Sequence, residues 1–114
     1  LPLVGEQTPL HEAIITMSEK GLGMLVVVNA HGQLSGVFTD GDLRRLFQRQ
    51  TQLTEVRMAD LMQPQPHTIG SDKLATEALK QMEDNKINGL IVIDAHARPL
   101  GALNMHDLLQ ARIV

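Results

Sequence analysis

Two aspartates and two arginines crowd into Gly36 to Arg45, GVFTDGDLRR, at the end of an apolar run. Three kinds of chemistry fit such a group. Thr39 followed three positions later by Asp42 suits a helix N-terminus, where a hydroxyl and a carboxylate satisfy free backbone amides and the acid favours the positive end of the dipole. Asp40 and Asp42 also have the D-x-D spacing of a calcium loop. Leu43, Arg44 and Arg45 follow where oxygen ligands are needed, so no metal is expected. The third possibility is a small-molecule site that uses both signs of charge. A helix start offers amides to a phosphate, an acid accepts from vicinal sugar hydroxyls, and guanidinium groups lie close by. Capping alone accounts for Thr39 and Asp42; a nucleotide site accounts for the arginines as well. Paired-carboxylate catalysis is required by nothing in the stretch, and no nucleophile–base set is visible elsewhere.

The elements that position these residues occur twice. Sliding the chain against itself by 65 residues places Glu12, Ala13 and Met17 on Glu77, Ala78 and Met82 without a gap. Leu25, Val27, Ala30 and His31 meet Leu90, Val92, Ala95 and His96, and Gly36, Asp42 and Leu43 meet Gly101, Asp107 and Leu108. Two copies of so long a unit suggest a duplicated supersecondary motif arranged about an internal twofold axis, not a solenoid. In the first copy, Leu10, Ala13, Ile14 and Met17 have helical spacing from Pro9 to Lys20, with Thr8 as N-cap and Gly21 as stop. MLVVVN then reads as a buried strand, AHGQ as a turn, LSGVFT as a second strand and Asp40 to Gln50 as a second helix. The second copy predicts a helix over Asp72 to Asn85, strands LIVID and LGAL, and a helix from about Asn104 to Ala111. The pattern is β-α-β-β-α, twice: an α/β (α+β) fold. Val56 to Met62 offers one or two helical turns between the copies, ended by prolines.

Composition narrows the function. The 114 residues make one domain's worth of chain, with 43% hydrophobic and 20% charged residues and a net charge of -3. The apolar run Met24 to Val28 is far short of the roughly 20 residues of a membrane helix. Acidic charge and two aromatics, Phe38 and Phe47, argue against polymeric nucleic acid. The absence of cysteine removes disulfides and thiolate chemistry, and suits a cytoplasmic protein. Five histidines are scattered without zinc spacing, and six methionines suit core and interface. GLG, Gly21 to Gly23, reads as a helix stop instead of a dinucleotide loop.

GVFTDGDL and GALNMHDL resemble the G-h-x-h-[ST]-x-x-[DN] motif that closes each cystathionine-β-synthase (CBS) repeat, and DLMQP before the second copy is similar too. The resemblance covers essentially the whole chain. GVFTDGDLRR with MHDLL near the end resembles more narrowly the CBS pair that closes bacterial D-arabinose 5-phosphate isomerases.

The resemblance implies two CBS repeats packed as a pseudo-twofold dimer. Repeat 1, residues 1–55, is expected to be truncated at its N-terminus, and repeat 2, residues 56–114, to include its leading connector. It implies a regulatory, ligand-sensing pair without catalytic residues or cofactor, preceded in the parent protein by a sugar-isomerase domain outside this chain. The parent would interconvert D-ribulose 5-phosphate and D-arabinose 5-phosphate in Kdo biosynthesis, for lipopolysaccharide or capsule. The implied partner is a nucleotide effector in the inter-repeat cleft: AMP or ATP by family habit, or a CMP-Kdo-like end product. Thr39 would stand near phosphate or ribose, Asp42 would accept from ribose hydroxyls, and Asp107 would do so in the second repeat. Asn104 departs from the usual serine or threonine, which makes its site the weaker one. Met24 with Leu25, and Gly89 with Leu90, would pass backbone and aliphatic contacts to the base, with Arg44 and His106 flanking. Apolar helix faces that one pseudo-dimer cannot fully cover predict homo-oligomers through the CBS pairs. The alternative is an oligomerisation module that binds no ligand.

Overall fold

The computed structural model describes residues 1–20, 23–49 and 56–106. Leu3–Gly5 forms strand β1, Leu10–Lys20 helix α1, Met24–Val28 β2, Leu34–Thr39 β3 and Asp40–Arg49 α2. A short helix, Met58–Leu61 (α3), and a two-residue strand, Gln63–Pro64 (β4), follow. Thr68–Gly70 (β5), Ala75–Asn85 (α4), Gly89–Ile93 (β6) and Pro99–Asn104 (β7) complete the described elements. The chain is mixed α+β and divides into two compact units, Leu1–Gln65 and Pro66–Val114.

In the first unit the strands run in the order β1-β2-β3-β4. β1 is parallel to β2, and the β2–β3 and β3–β4 pairs are antiparallel. The apolar residues at helical spacing on α1 explain its docking: Leu10, Ala13 and Met17 are buried against Leu25 and Val27 of β2 and Phe38 of β3. Alternation along β2 sends Val26, also wholly buried, to the other face. α2 contributes Leu46 to the same core. In the second unit the order is β5-β6-β7, and Ile69, Ala78, Met82 and Leu90 form the core.

The sequence repeat returns in several matched backbone bonds. Val26 N donates to Pro2 O and Ile91 N to His67 O, while Asn29 N donates to Gln33 O and Asp94 N to Arg98 O. A bulge falls between Val27 and Val28, and again between Val92 and Ile93. Both hairpins turn on an acidic or amide side chain. Asn29 Oδ1 accepts from the amides of His31 and Gln33, and Asp94 Oδ1 from those of His96 and Arg98. The third turn residue is left-handed in both, at Gly32 (φ 77°) and at Ala97 (φ 63°).

Some local expectations are corrected. Thr8 does not cap α1: its hydroxyl accepts from Gly5 N at 3.1 Å, and the Pro9 carbonyl takes the first helical bond, from Ala13 N at 3.1 Å. α4 starts at Ala75 and not at Asp72, because Lys73 N bonds to Gly70 O and Ser71 N to Ile93 O, which holds this stretch in a turn. Beyond Met105 and His106 the expected last helix lies outside the described residues. Apart from these corrections, the connector at Val56–Gln65, which sequence register gives to the second repeat, packs in space with the first compact unit. Met58 is wholly buried there among Val4, Leu10 and Phe38.

Candidate functional site

β3 ends at Thr39 and α2 begins at Asp40, so the charged stretch sits at a helix N-terminus. Thr39 N donates to Asp42 Oδ2 at 2.9 Å, and Asp42 N donates to Thr39 Oγ1 at 3.2 Å. This reciprocal pair satisfies two backbone donors that the helix itself leaves free. The second oxygen of Asp42 is engaged as well. Oδ1 accepts from Arg45 Nη2 at 2.7 Å and from Gln63 Nε2 at 2.6 Å. Burial alone would raise the Asp42 carboxyl. The Thr39 amide, Arg45, Gln63 and the Thr39 hydroxyl outweigh that and hold it below its ordinary value.

Asp42 stands at the edge of an open hollow of about 540 Å³. Arg45, Arg49 and Gln63 line it on the polar side, and Phe38, Leu46 and Leu61 supply an apolar floor. Its volume is in the range of small-molecule pockets. The second unit has a hollow of about 410 Å³ at the matching end of β7, lined by Asn88, Asn104, Met105 and His106. Met105 N donates to Asn88 O at 2.8 Å, as Asp40 N donates to Gly23 O at 2.9 Å. Among the described residues no three acidic or histidine side chains converge as a metal site, and no helix is long and apolar enough to cross a membrane.

A family model described as CBS domain matches residues 1–49 and 58–114. The chain belongs to the CBS domain family. The arabinose 5-phosphate isomerase KdsD of Pseudomonas aeruginosa is 51% identical over all 114 residues, and that of Escherichia coli K12 is 37% identical. The chain spans only about a third of each relative, 35% and 34%. Among solved structures, CBSX2 in complex with AMP superposes with a TM-score of 0.82 at 26% identity, covering 99% of this chain and 87% of that one.

The CBS motif residues fall into distinct places. Met24 pairs with Thr39, and Gly89 with Asn104, so each motif's end faces the start of its neighbouring strand. Leu25 and Leu90 are core residues, 0% and 2% exposed, so they offer a ligand backbone and no side-chain surface. Arg44 is exposed on α2 and makes no bond to Asp42; Arg45 does. Helical geometry explains the difference, since side chains three apart share a face and those two apart do not. Asn104 and His106 share the second hollow. Asp107 lies outside the described residues. Gln63 and Asn88 line these hollows without having been singled out in the sequence, and Arg45, one of the two arginines of the charged stretch, bonds to Asp42 where Arg44 does not. The i,i+3 spacing signals Arg45. The residue just before the second strand, read across the hairpin, signals Asn88. Gln63 had no signal, because its link to Asp42 spans 21 residues through β4.

Proposed function

We propose that this CBS pair is the ligand-sensing region of an arabinose 5-phosphate isomerase, and that a nucleotide or nucleotide sugar binds at the β3–α2 end of the first unit. The observation that carries it is the Asp42 carboxylate, held ionised by its hydrogen bonds beside a hollow with two arginines. Its relatives support the parent activity, and the AMP complex of CBSX2 supports the ligand class. Sugar hydroxyls would replace Arg45 and Gln63 at Oδ1 while the Thr39 amide keeps Oδ2. Arg45, with its side chain 59% exposed, is then free to meet phosphate. The second unit would be the weaker site, with Asn104 and His106 at the ligand and Asp107 completing the motif. The parent would interconvert D-ribulose 5-phosphate and D-arabinose 5-phosphate, and an adenine nucleotide or the pathway's cytidine-linked Kdo product would regulate it.

A thermal-stability screen with AMP, ATP, CMP and CMP-Kdo tests this reading. A true effector at about 100 times its dissociation constant adds about 2.7 kcal/mol. No shift with any of the four, in wild type and Asp42→Ala alike, would defeat it. One observation favours a second reading, a module for assembly between copies: Ile15 on α1 and Phe47 on α2 are each 56% exposed. Sedimentation that shows concentration-dependent dimers without any ligand response would select it.

A further inference from the structure

The two units differ along one flank of their cores. In the first, the connector covers one flank of the core. Leu10 N donates to Val56 O at 3.2 Å, Met58 N to Thr8 O at 3.0 Å and Ala59 N to Glu6 O at 2.8 Å. The repeat register puts Ala75, Lys73 and Ser71 where the first unit has Leu10, Thr8 and Glu6. No described residue bonds to the Ala75 amide or to the Lys73 and Ser71 carbonyls. Where Met58 would sit, the second unit has a hollow of about 230 Å³. Its lining includes Ile69, Ala75, Ala78 and Leu103, the counterparts of Val4, Leu10, Ala13 and Phe38. Leu74, on its wall, is 66% exposed.

The sheets carry an independent sign of the same difference. β3 is covered on its outer edge by β4, through Gly36 opposite Pro64 and Val37 opposite Gln63. Among the described residues β7 is the edge of its sheet. A Cβ at Gly36 would lie 2.7 Å from Gln63 O, whereas one at the matching Gly101 would meet nothing within 4 Å. Gly101 thus borders a space that no described residue of its own unit fills. An edge of this kind is a template for a further strand.

We propose that this hollow and the edge of β7 form one docking site, and that its occupant is the stretch of parent chain immediately ahead of Leu1. That stretch would supply one helical turn with a large apolar anchor, then a two-residue strand beside Gly101. Register argues for it: Val56–Gln65 leads directly into Pro66, the counterpart of Leu1, and an equivalent segment would lead into Leu1 in the parent chain. The KdsD relatives have chain to spare, since this one spans 35% of the Pseudomonas protein. The hollow is smaller than the roughly 300–1,000 Å³ of small-molecule pockets. The Met58 turn of a second copy is not free to serve as the anchor, because it is already fully buried in its own unit.

The test compares the 114-residue chain with the same chain extended by its ten native upstream residues, by amide hydrogen exchange and melting temperature. Extension should slow exchange at Ala75 by about tenfold or more, as a local opening becomes more costly, and raise the melting temperature. Gly101→Ala should leave the 114-residue chain as stable as before and abolish the gain in the extended one. Ala75→Pro should act likewise: Leu74 is already extended (φ −79°, ψ 154°) and proline is accepted at a first helical position. An Ala75 amide that exchanges equally fast in both chains, or a gain that survives Gly101→Ala, overturns the proposal. Protection in the 114-residue chain that rises with its concentration also overturns it, in favour of a second copy.

Discussion

Thr39 and Asp42 hold each other's backbone amides, at 2.9 and 3.2 Å, across the junction of β3 and α2. The pair is therefore a structural device before any ligand arrives, and its two members separate capping from recognition. Thr39→Ala should cost about 0.5–2 kcal/mol in urea unfolding. Asp42→Ala should cost a similar amount and, in addition, weaken binding of whichever nucleotide stabilises the protein by about 10- to 150-fold, the loss of charge-assisted bonds worth roughly 1.5–3 kcal/mol. Calorimetric titration giving equal affinities for wild type and a folded Asp42→Ala would remove Asp42 from the ligand site.

Acid should weaken the first unit through the same carboxylate. A carboxyl whose folded pKa lies below its unfolded one stabilises the fold above the unfolded value, about 3.9, and loses that contribution as pH falls through the folded value. Asp42 is shifted in that direction, against the effect of its burial, by hydrogen bonds from Thr39, Arg45 and Gln63. Asp94 is lowered too, first by the Arg98 amide. Urea unfolding at pH 7 and pH 3 should therefore differ less in Asp42→Asn than in wild type. An unchanged difference would show that the hydrogen bonds do not favour the charged form.

Gln63 competes with a ligand for Asp42 Oδ1, which it reaches at 2.6 Å. Gln63→Ala should tighten nucleotide binding by about 2- to 12-fold, matching the roughly 0.5–1.5 kcal/mol of one hydrogen bond. Affinity that stays constant or falls would mean that Gln63 contacts the ligand or is irrelevant to it.

Ala97 holds a backbone conformation, φ 63°, that the other hairpin gives to Gly32. A left-handed residue with a Cβ costs roughly 1–2 kcal/mol, so Ala97→Gly should stabilise the protein by about 0.5–1 kcal/mol after the added freedom of the unfolded chain. Gly32→Ala should destabilise it by about as much. Paired thermal melts decide the matter, and a destabilised Ala97→Gly would refute it.

Met58 should behave as a core residue of the first unit. Met58→Ala should cost about 2–5 kcal/mol, and exchange should accelerate at Leu10 and Ala13, its neighbours in that core. A loss below about 0.5 kcal/mol would show that the connector is dispensable.

What could be read beforehand followed local rules. The repeat was legible because apolar residues must alternate on a half-buried strand and recur at helical spacing, as Leu10, Ala13 and Met17 do on α1. Thr39 and Asp42 were legible because a capping pair lies within four residues. The home of Met58 was not. A single helical turn has too few positions to show which core it faces, and the offset assigns it by order along the chain. The Thr8 cap failed because an alternative acceptor role, toward Gly5 N, lay equally close in sequence.

Gene duplication copies what is contiguous in a message, while folding closes what is contiguous in space, and Val56–Gln65 sits on the seam between the two. A gene segment cut at the repeat boundary, after residue 55, encodes a body lacking its own Met58 and β4. One cut after Gln65 carries the whole first unit. Exchange of a single repeat between proteins of this architecture therefore leaves a flank that the recipient must supply, which favours inheritance of the two repeats as a pair.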